Sequence, residues 1–400
     1  MRGQFIQNIV WPSLVLPGSF AKKSDTGKWS KKPIDWFDIR KDCPADSIAL
    51  YAGVKSDYSA YDNLGFTATC TGGYKVYIDE ELYGTYNSGA QCNITWSEYT
   101  ATEGNDITTP STLKAHKIWI VPATAGNSIT AFRCNRVAAS GQEQQGILWA
   151  HFNISNKINL NHLFSTGSQP YANKALIATT AKNNKLKVSS LGYAFYGTDN
   201  LEYLPVLDGE NSIIPSYNAF LWSQTIKTIT LTNMTCDDNT AMFSHCFMLE
   251  QVKGNAVLYA YTSMFQNCYS LTEISSSILF TNATNLTSFL TNSTKLKNTI
   301  LDIREASSLN KIGIYGSSAR FMTGFKGLRV SNAAPFNNAT SPQINVSYTG
   351  MDRQALVQLF NDLPSVSSGQ IIDITATTGS ADLTQEDKDI ALNKGWSITA

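Results

Sequence analysis

Two stretches of the sequence decide the fold: AMFSHCFMLEQV at residues 241–252 and SMFQNCYSLTEI at residues 263–274. Both place a Met-Phe pair, a Cys and a Leu at the same spacing, and the second stretch begins 22 residues after the first. Related stretches flank them: YAFYGTDNLEYL at 193–204, NAFLWSQTIKTI at 218–229 and SFLTNSTKLKNT at 288–299. The chain therefore contains a repeated unit, and a repeat of this length determines the whole architecture.

The repeat length indicates the kind of structure. The apolar anchor that follows the polar centre of each unit recurs after 25, 23, 22 and 25 residues, at Leu201, Ile226, Leu249, Leu271 and Leu296. Periods of about 20–29 residues are typical of leucine-rich repeats, in which each unit adds a strand and a short turn or helical segment to a curved solenoid. We expect the recurrent Phe and Leu or Ile side chains to point inward, because neighbouring coils bury one another.

These units resemble the BspA-like branch of leucine-rich repeats, whose units carry a Met-Phe or Ala-Phe pair, a Cys and a Leu-x-x-Ile. The full match is carried by Met242-Phe243, Cys246 and Leu249, and by Met264-Phe265, Cys268 and Leu271. Ala194-Phe195 and Ala219-Phe220 match in part, and Ser293 replaces the Cys in the unit at 288. The resemblance implies an architecture more strongly than an activity, because that family consists mostly of surface and adhesion modules.

The flanking segments predict a β-rich chain of several domains. Residues 1–35 mix Pro, Gly, Ser and Lys without periodicity, which is typical of an arm or docking segment. Residues 36–145 contain short β-like runs between turn signals, including a hairpin pattern at 73–86, and predict an antiparallel β-sandwich-like domain. A leucine-rich-repeat solenoid is then predicted over residues 146–345, followed by an α/β C-terminal cap over residues 346–400.

The cap is predicted from two helix signals. MDRQALVQLFNDL at 351–363 carries apolar residues at helical spacing and ends at Pro364. Thr384, with Asp387 three residues later, has the pattern of a capping box for a second helix that ends at Lys394-Gly395. This ending is similar to that of leucine-rich proteins encoded by bacteriophages of gut bacteria, and the similarity implies a virion protein.

Composition and charge restrict the partners. The chain has 31 Lys and Arg against 31 Asp and Glu, and charged residues make up 16% of it, below the ~25% of ordinary soluble domains. A chain with no net charge has no long-range field for polyanions, which argues against a nucleic-acid or anionic-membrane partner. No apolar stretch approaches the ~20 residues that span a bilayer. Pro12 and Pro17 interrupt the apolar run near the N-terminus, so we expect no secretion signal.

The sequence predicts no metal site, no cofactor and no thiol catalysis. The histidines are dispersed without metal-binding spacing, at His116, His151, His162 and His245. Cys246, which follows His245, aligns with Cys268 in the repeat and is interpreted as a small packing residue.

Three acidic groups are the other candidates for chemistry. They are Asp79/Glu80/Glu81, Asp237/Asp238 and Glu386/Asp387. Glycosidases need two carboxylates about 5–10 Å apart across a cleft, and sequence cannot establish that separation. We interpret the first group as a hairpin turn, the second as a loop between repeats and the third as the acidic first turn of a helix. We therefore expect the protein not to be an enzyme.

The predicted binding site is a column of four residues: Tyr203, Thr228, Gln251 and Glu273. In each unit the apolar anchors enclose two variable positions, which we expect to face solvent. Stacked coils would align one of these positions on one face, as a surface of hydrogen-bonding groups suited to a glycan or a protein. The alternative is that the column is ordinary solvated surface and that binding uses loops or the β-rich domain.

These patterns predict a non-enzymatic structural protein of a bacteriophage tail, baseplate or fibre. It would be located in the virion and form a homo-oligomer within the particle. Its partners would be other virion proteins and a host-surface glycan or protein. A BspA-like adhesin on a bacterial cell surface is the alternative, and a carbohydrate-acting enzyme is a third hypothesis. Because fold alone does not determine function, these remain hypotheses of function.

Overall fold

The fold is described from a computed structural model. It covers residues 38–55, 63–95, 105–107, 113–135, 146–164, 176–238, 240–337, 341–367 and 369–400. The predicted arm at residues 1–35 lies outside these ranges. About 40% of the chain is strand, and two α-helices accompany the strands in the described part.

Two sheets of antiparallel strands form the N-terminal part. Their strands are β1 (Ser47–Lys55), β2 (Asn63–Cys70), β3 (Tyr74–Ile78), β4 (Glu81–Tyr86), β5 (Gln91–Thr95), β6 (Asn105–Ile107), β7 (Leu113–Pro122), β8 (Ile129–Asn135) and β9 (Ile147–Asn153). One sheet has the order β9-β1-β7-β3-β4 with β6 beside β7, and the other has the order β8-β2-β5. The predicted hairpin is confirmed as β3 and β4. Ile48 of the first sheet and Phe66 of the second belong to one core.

The chain then winds into a β-solenoid of about 9 turns over residues 131–399. Its strands are β10 (Ile158–Asn159), β11 (Ala178–Ala181), β12 (Lys185–Ser190), β13 (Val206–Ile214), β14 (Thr228–Cys236), β15 (Gln251–Gly254), β16 (Val257–Tyr259), β17 (Glu273–Ile274), β18 (Leu279–Thr281), β19 (Asn285–Leu286), β20 (Thr299–Ile303), β21 (Lys311–Gly313), β22 (Phe325–Val330), β23 (Ile344–Asn345), β24 (Gln370–Asp373) and β25 (Trp396–Thr399). Consecutive coils pair in parallel, for example Ile229 with Val252 and Val252 with Ile274.

Both N-terminal sheets continue into the solenoid. In one sheet β8 pairs in parallel with β10, and in the other β9 pairs in parallel with β11. The same two strands pair antiparallel with β2 and β1 on their other sides. The N-terminal strands therefore cover the first edge of the solenoid, where unpaired backbone groups would otherwise invite association with another chain.

The inward-facing residues of the repeat form regular stacks. Phe195, Phe220, Phe243 and Phe265 are fully buried. Their successive ring centroids lie 5.2, 5.7 and 5.0 Å apart with nearly parallel planes. The predicted anchors are also buried, at Leu201, Ile226, Leu249, Leu271 and Leu296. Each coil thus contributes a ring and an aliphatic side chain to one continuous core, as the spacing predicts.

The Cys position of the repeat has a second role besides packing. Its side chain donates a hydrogen bond to a phenylalanine carbonyl of the preceding coil. The pairs are Ser223 to Phe195, Cys246 to Phe220, Cys268 to Phe243 and Ser293 to Phe265. The position therefore requires a small side chain with a donor, which explains why Cys and Ser both occupy it.

This role predicts different effects for two substitutions of Cys268. Cys268→Ser keeps a donor near the Phe243 carbonyl, 3.0 Å from the present sulfur, and should change the free energy of unfolding by less than about 0.5 kcal/mol. Cys268→Ala removes the donor and should cost about 1–2 kcal/mol. Urea unfolding of both variants measures the difference. If Cys268→Ala unfolds at the same urea concentration as the wild type, and Cys268→Ser unfolds at a lower one, then only apolar packing matters at this position.

The C-terminal segment contains both predicted helices, α1 (Arg353–Asp362) and α2 (Gln385–Leu392). Thr384 and Asp387 form the predicted capping box at the start of α2. The strands that follow the helices, β24 and β25, pair in parallel with β23 and with each other. Residues 346–400 therefore continue the stack and form its last coils.

Candidate binding surface

Three residues of the predicted column lie in one row. Thr228 on β14 pairs with Gln251 on β15, and Gln251 pairs with Glu273 on β17. The Gln251 Nε2 donates to Glu273 Oε2 over 3.0 Å. Thr228 and Gln251 are half-buried and Glu273 is exposed. Three successive coils therefore present hydrogen-bonding side chains side by side.

Tyr203 is placed differently from the other three. Its backbone forms a parallel bridge with Ala178, and its half-buried ring packs against a core cluster that contains Trp149. Its hydroxyl donates to Asn184 Oδ1 over 2.6 Å, and burial raises the pKa of Tyr203. Tyr203 therefore faces solvent only in part, because the N-terminal sheet continues past this coil and covers part of the ring.

The acidic groups at 79–81 and 386–387 are engaged in structural contacts. In the turn between β3 and β4, Asp79 Oδ2 lies 2.7 Å from His116 Nδ1, and Asp79 Oδ1 accepts from the Lys117 backbone over 2.9 Å. At the start of α2, Asp387 accepts from Arg353 Nε over 2.7 Å. These contacts fit the structural roles that the sequence predicts for both groups.

Asp237 and Asp238 lie just after β14. Asp238 Oδ1 accepts from the Thr240 hydroxyl over 3.1 Å. Asp237 is half-buried, and its Oδ1 is enclosed without a hydrogen-bond donor from the described residues. The two acids belong to the loop between repeats, as the sequence predicts.

All seven cysteines are buried and unpaired with one another. Burial raises the pKa of Cys43 and of Cys236 to about 12 and that of Cys92 to about 11. Because the thiolate is the nucleophile and the metal ligand, such thiols remain protonated and unreactive at neutral pH. Their role in this chain is packing together with hydrogen bonding, which at Cys246 and Cys268 joins successive coils.

The described residues also contain neither a cluster of metal ligands nor a membrane-spanning helix. No group of three or more His, Cys, Asp or Glu side chains there could hold a metal ion. Within the same part of the chain, no helix has the length and apolar composition needed to cross a bilayer.

An aromatic surface that the sequence patterns above do not predict lies on the turns that precede the anchors. Trp222, His245, Phe247 and Tyr269 form this surface, which we call the turn ridge. The Trp222 and His245 rings stack with centroids 4.0 Å apart, and the Phe247 and Tyr269 rings stack with centroids 5.4 Å apart. The signal was available, because aligning the units places Trp222 and His245 at the same position, and likewise Phe247 and Tyr269.

Comparison of the chain with known proteins does not assign it to a class, so the class is defined by the structure alone. No protein family, curated protein or solved structure matches the chain. The class that the geometry defines is a β-solenoid built from repeats, with side chains of successive coils aligned in rows.

Proposed function

We propose that this protein is a non-enzymatic structural and binding component of a bacteriophage tail, baseplate or fibre. One observation carries the binding part of the proposal: Thr228, Gln251 and Glu273 are in register across three adjacent coils. A row of polar side chains on a rigid parallel sheet is the kind of extended surface that solenoid proteins use for binding. The partner is a host-surface glycan or protein, or another virion protein.

The repeat itself is proposed to be of the BspA-like leucine-rich kind, and the N-terminal part to be a β-sandwich-like module. The buried Phe, Cys and Leu of each unit support the first proposal. The two antiparallel sheets that share one core support the second. The similarity of the C-terminal segment to the ends of phage leucine-rich proteins supports a location in the virion, where the chain assembles as a homo-oligomer.

The non-enzymatic part of the proposal is supported by the contacts of two of its acidic groups. Asp79 contacts His116 beside a hairpin turn, and Asp387 pairs with Arg353 at the start of a helix.

The alternative hypothesis is a bacterial surface adhesin. It would use the same binding surface but differ in location, so location is the property that separates the two hypotheses.

The row predicts the effect of a double substitution, Gln251→Lys with Glu273→Lys. Adding positive charge to two neighbouring positions of the row, the half-buried Gln251 and the exposed Glu273, should weaken binding to host cells at least about tenfold, because like-charged or unpaired groups at a contact surface are costly. The melting temperature should stay within about 2 °C of the wild-type value, since surface substitutions change stability little. Cell binding of the purified full chain, measured by flow cytometry, gives the comparison.

A matched control is Ile300→Lys, because this side chain is 64% exposed and lies on β20, outside the row. Equal binding by the double variant and the control would contradict a role for the row. Loss of binding on substituting Leu82, which is 56% exposed on β4, would instead move the recognition surface to the N-terminal sheets. Deleting those sheets is a poor test, because β8 and β9 pair with the first coils.

A further inference from the structure

Four uncharged side chains are aligned on the outer surface of four successive coils. Ile213 on β13 pairs with Thr235 on β14, and Thr235 pairs with Val257 on β16. Val257 in turn pairs with Leu279 on β18. Ile213 is 61% exposed and Leu279 is 52% exposed, and the two residues between them are half-buried. We call these four residues the apolar stripe.

The apolar stripe points away from the core. Side chains alternate between the two faces of a strand. The residue that follows each member of the stripe is buried in the core: Ile214, Cys236, Leu258 and Phe280. A solenoid coil needs apolar residues only on its inner side, where neighbouring coils bury one another. Adjacent large apolar residues on the outer side therefore indicate a surface that contacts another molecule.

Hydrogen-bonding groups flank the stripe on both sides. On one side, Asn255 Nδ2 donates to Asn233 Oδ1 over 3.2 Å, two residues before the stripe in their coils. On the other side, Tyr259 pairs with Thr281, two residues after the stripe. An apolar centre with a polar rim is the usual composition of a protein–protein contact. Amides and hydroxyls can both donate and accept, so such a rim can contact an identical rim.

The charge of the chain favours a second copy as the molecule that covers the stripe. The chain has 31 basic and 31 acidic residues and no net charge. Two copies therefore do not repel each other at long range, as strongly charged chains would. The stripe itself contains no charged residue, so an identical stripe can pack on it without an unpaired charge.

Two arrangements of such a dimer are possible, because its twofold axis must lie in the plane of the contact. An axis along the strands, between β14 and β16, reverses the order of the coils. Ile213 then faces Leu279 of the second copy, and Thr235 faces Val257. An axis along the stack of coils instead places each residue of the stripe opposite itself.

A carboxylate beside the stripe distinguishes the two arrangements. The half-buried Asp237 lies beside Tyr259, because the preceding residues, Cys236 and Leu258, are paired. With the axis along the strands, Asp237 faces Tyr259 of the second copy. With the axis along the stack, Asp237 faces a second carboxylate, and like charges opposed at a contact are costly. The first arrangement is therefore favoured.

The size of the stripe sets the strength of the contact. Neighbouring strands lie about 4.8 Å apart, so the stripe is about 15 Å long. With its polar rim, it would bury on the order of 800–1,000 Å² in total, which is the size of a weak, reversible contact. Such a contact forms at micromolar concentrations and is strengthened where several copies are held close together.

We propose that the apolar stripe is the contact between two copies of this chain, with Ile213 packed on Leu279 of the second copy. The two sheets would pack face to face and remove the exposed parts of both side chains from water. This proposal rests on the proposed function, because it names the surface through which the proposed homo-oligomer forms.

Charge substitutions at the two ends of the stripe test the contact and its arrangement. Ile213→Lys alone and Leu279→Glu alone each place two unpaired charges in the dimer contact, and each should raise the dimer Kd at least about tenfold. Both substitutions in one chain bring opposite charges together across the axis and should lower the Kd again. Ile213→Lys with Leu279→Lys should not. Leu392→Lys, at a residue 43% exposed on α2, is the control.

Sedimentation equilibrium of the purified full chain, from low to high micromolar concentration, measures the Kd. Melting temperatures at low concentration verify that each variant is folded. A dimer that both single variants lose and the Lys/Glu variant regains supports the proposal. If the Lys/Glu variant stays as weak as the Lys/Lys variant, the proposed arrangement is wrong.

Two further outcomes would overturn the contact. An oligomer that all variants retain would exclude the stripe and leave the proposed homo-oligomer intact. A wild-type chain that stays monomeric at every concentration would exclude a second copy, and failure of only the stripe variants to enter particles would then assign the stripe to another virion protein. Host-cell binding is measured separately, so failure of this contact and failure of the proposed function remain distinguishable.

Discussion

Replacing Phe265 by Ala is expected to lower the free energy of unfolding by about 3–5 kcal/mol. The ring is fully buried, with the Phe243 ring 5.0 Å away on one side and the Phe289 ring 5.5 Å away on the other. Truncation therefore removes contacts with two coils at once and leaves a cavity between them. Because solenoid coils are stabilised by their neighbours, the loss should spread beyond the substituted coil.

Denaturant unfolding measures the total effect, and hydrogen exchange locates it. Amide protection should fall in the coils of Phe243 and Phe289 as well as in the coil of Phe265. Leu271→Ala should behave similarly, with a cost of about 2–5 kcal/mol. Ile300→Ala, at a residue 64% exposed, is the control and should change stability by less than about 0.5 kcal/mol. Midpoints equal to that of the wild type for Phe265→Ala and Leu271→Ala would show that the register of the repeat is wrong.

The second large effect is a loss of stability in mild acid that depends on His151. Burial lowers the pKa of His151 from 6.5 to about 4; Arg40 acts in the same direction and Asp38 in the opposite one. The neutral imidazole accepts a hydrogen bond through Nδ1 from the Thr180 hydroxyl, 3.0 Å away. That hydroxyl also accepts from Trp149 Nε1 over 2.7 Å, and its proton has the imidazole at 3.0 Å as a nearer acceptor than the Ala150 carbonyl at 3.5 Å.

Stability falls with decreasing pH because His151 takes up its proton at a higher pH in the unfolded chain than in the folded protein. The unfolded chain binds it as the pH falls below about 6.5, whereas the folded protein binds it only near pH 4. The stabilising contribution is therefore complete above pH 6.5 and is lost progressively between pH 6.5 and 4. At about 1.4 kcal/mol per pH unit, this loss amounts to about 3 kcal/mol.

Urea unfolding at a series of pH values, for the wild type and for His151→Asn, tests this expectation. The Asn carbonyl can accept the Thr180 hydrogen bond but does not titrate, so the variant should lose about 3 kcal/mol less between pH 6.5 and 4. Burial also lowers the pKa of His162 and of His245, and their contributions remain in both proteins. Parallel curves for the two proteins would contradict a neutral, buried His151.

The features that the sequence predicts well are periodic or local. The anchors from Leu201 to Leu296 were found because each coil repeats the same inward positions, and all of them are buried. The capping box at Thr384 and the hairpin of β3 and β4 depend only on residues close in sequence. Such features can be predicted from a single sequence, because they depend on residues that recur at a regular spacing or lie close together in the chain.

The features that the sequence did not predict depend on distant contacts. The partial burial of Tyr203 arises from the N-terminal sheet, where Ala178 joins β9 and bridges to Tyr203. The hydrogen bonds of Cys246 and Cys268 join successive coils and require the stacking geometry. The turn ridge is not predicted because its two positions also hold non-aromatic residues in other units, Gly197 and Asn267 at one and Asp199 and Gln224 at the other, so no residue type runs through all units.

The central claim is that this chain is a binding component of a virion, and mass spectrometry of purified particles tests it most directly. Particles would be purified by density gradient from a lysate of cells in which the gene is expressed in its native genome. The account predicts that the chain co-purifies with the particles in a fixed ratio to the other virion proteins. Its absence from the particles, together with its presence in the washed cell envelope, would contradict the account and favour the surface adhesin.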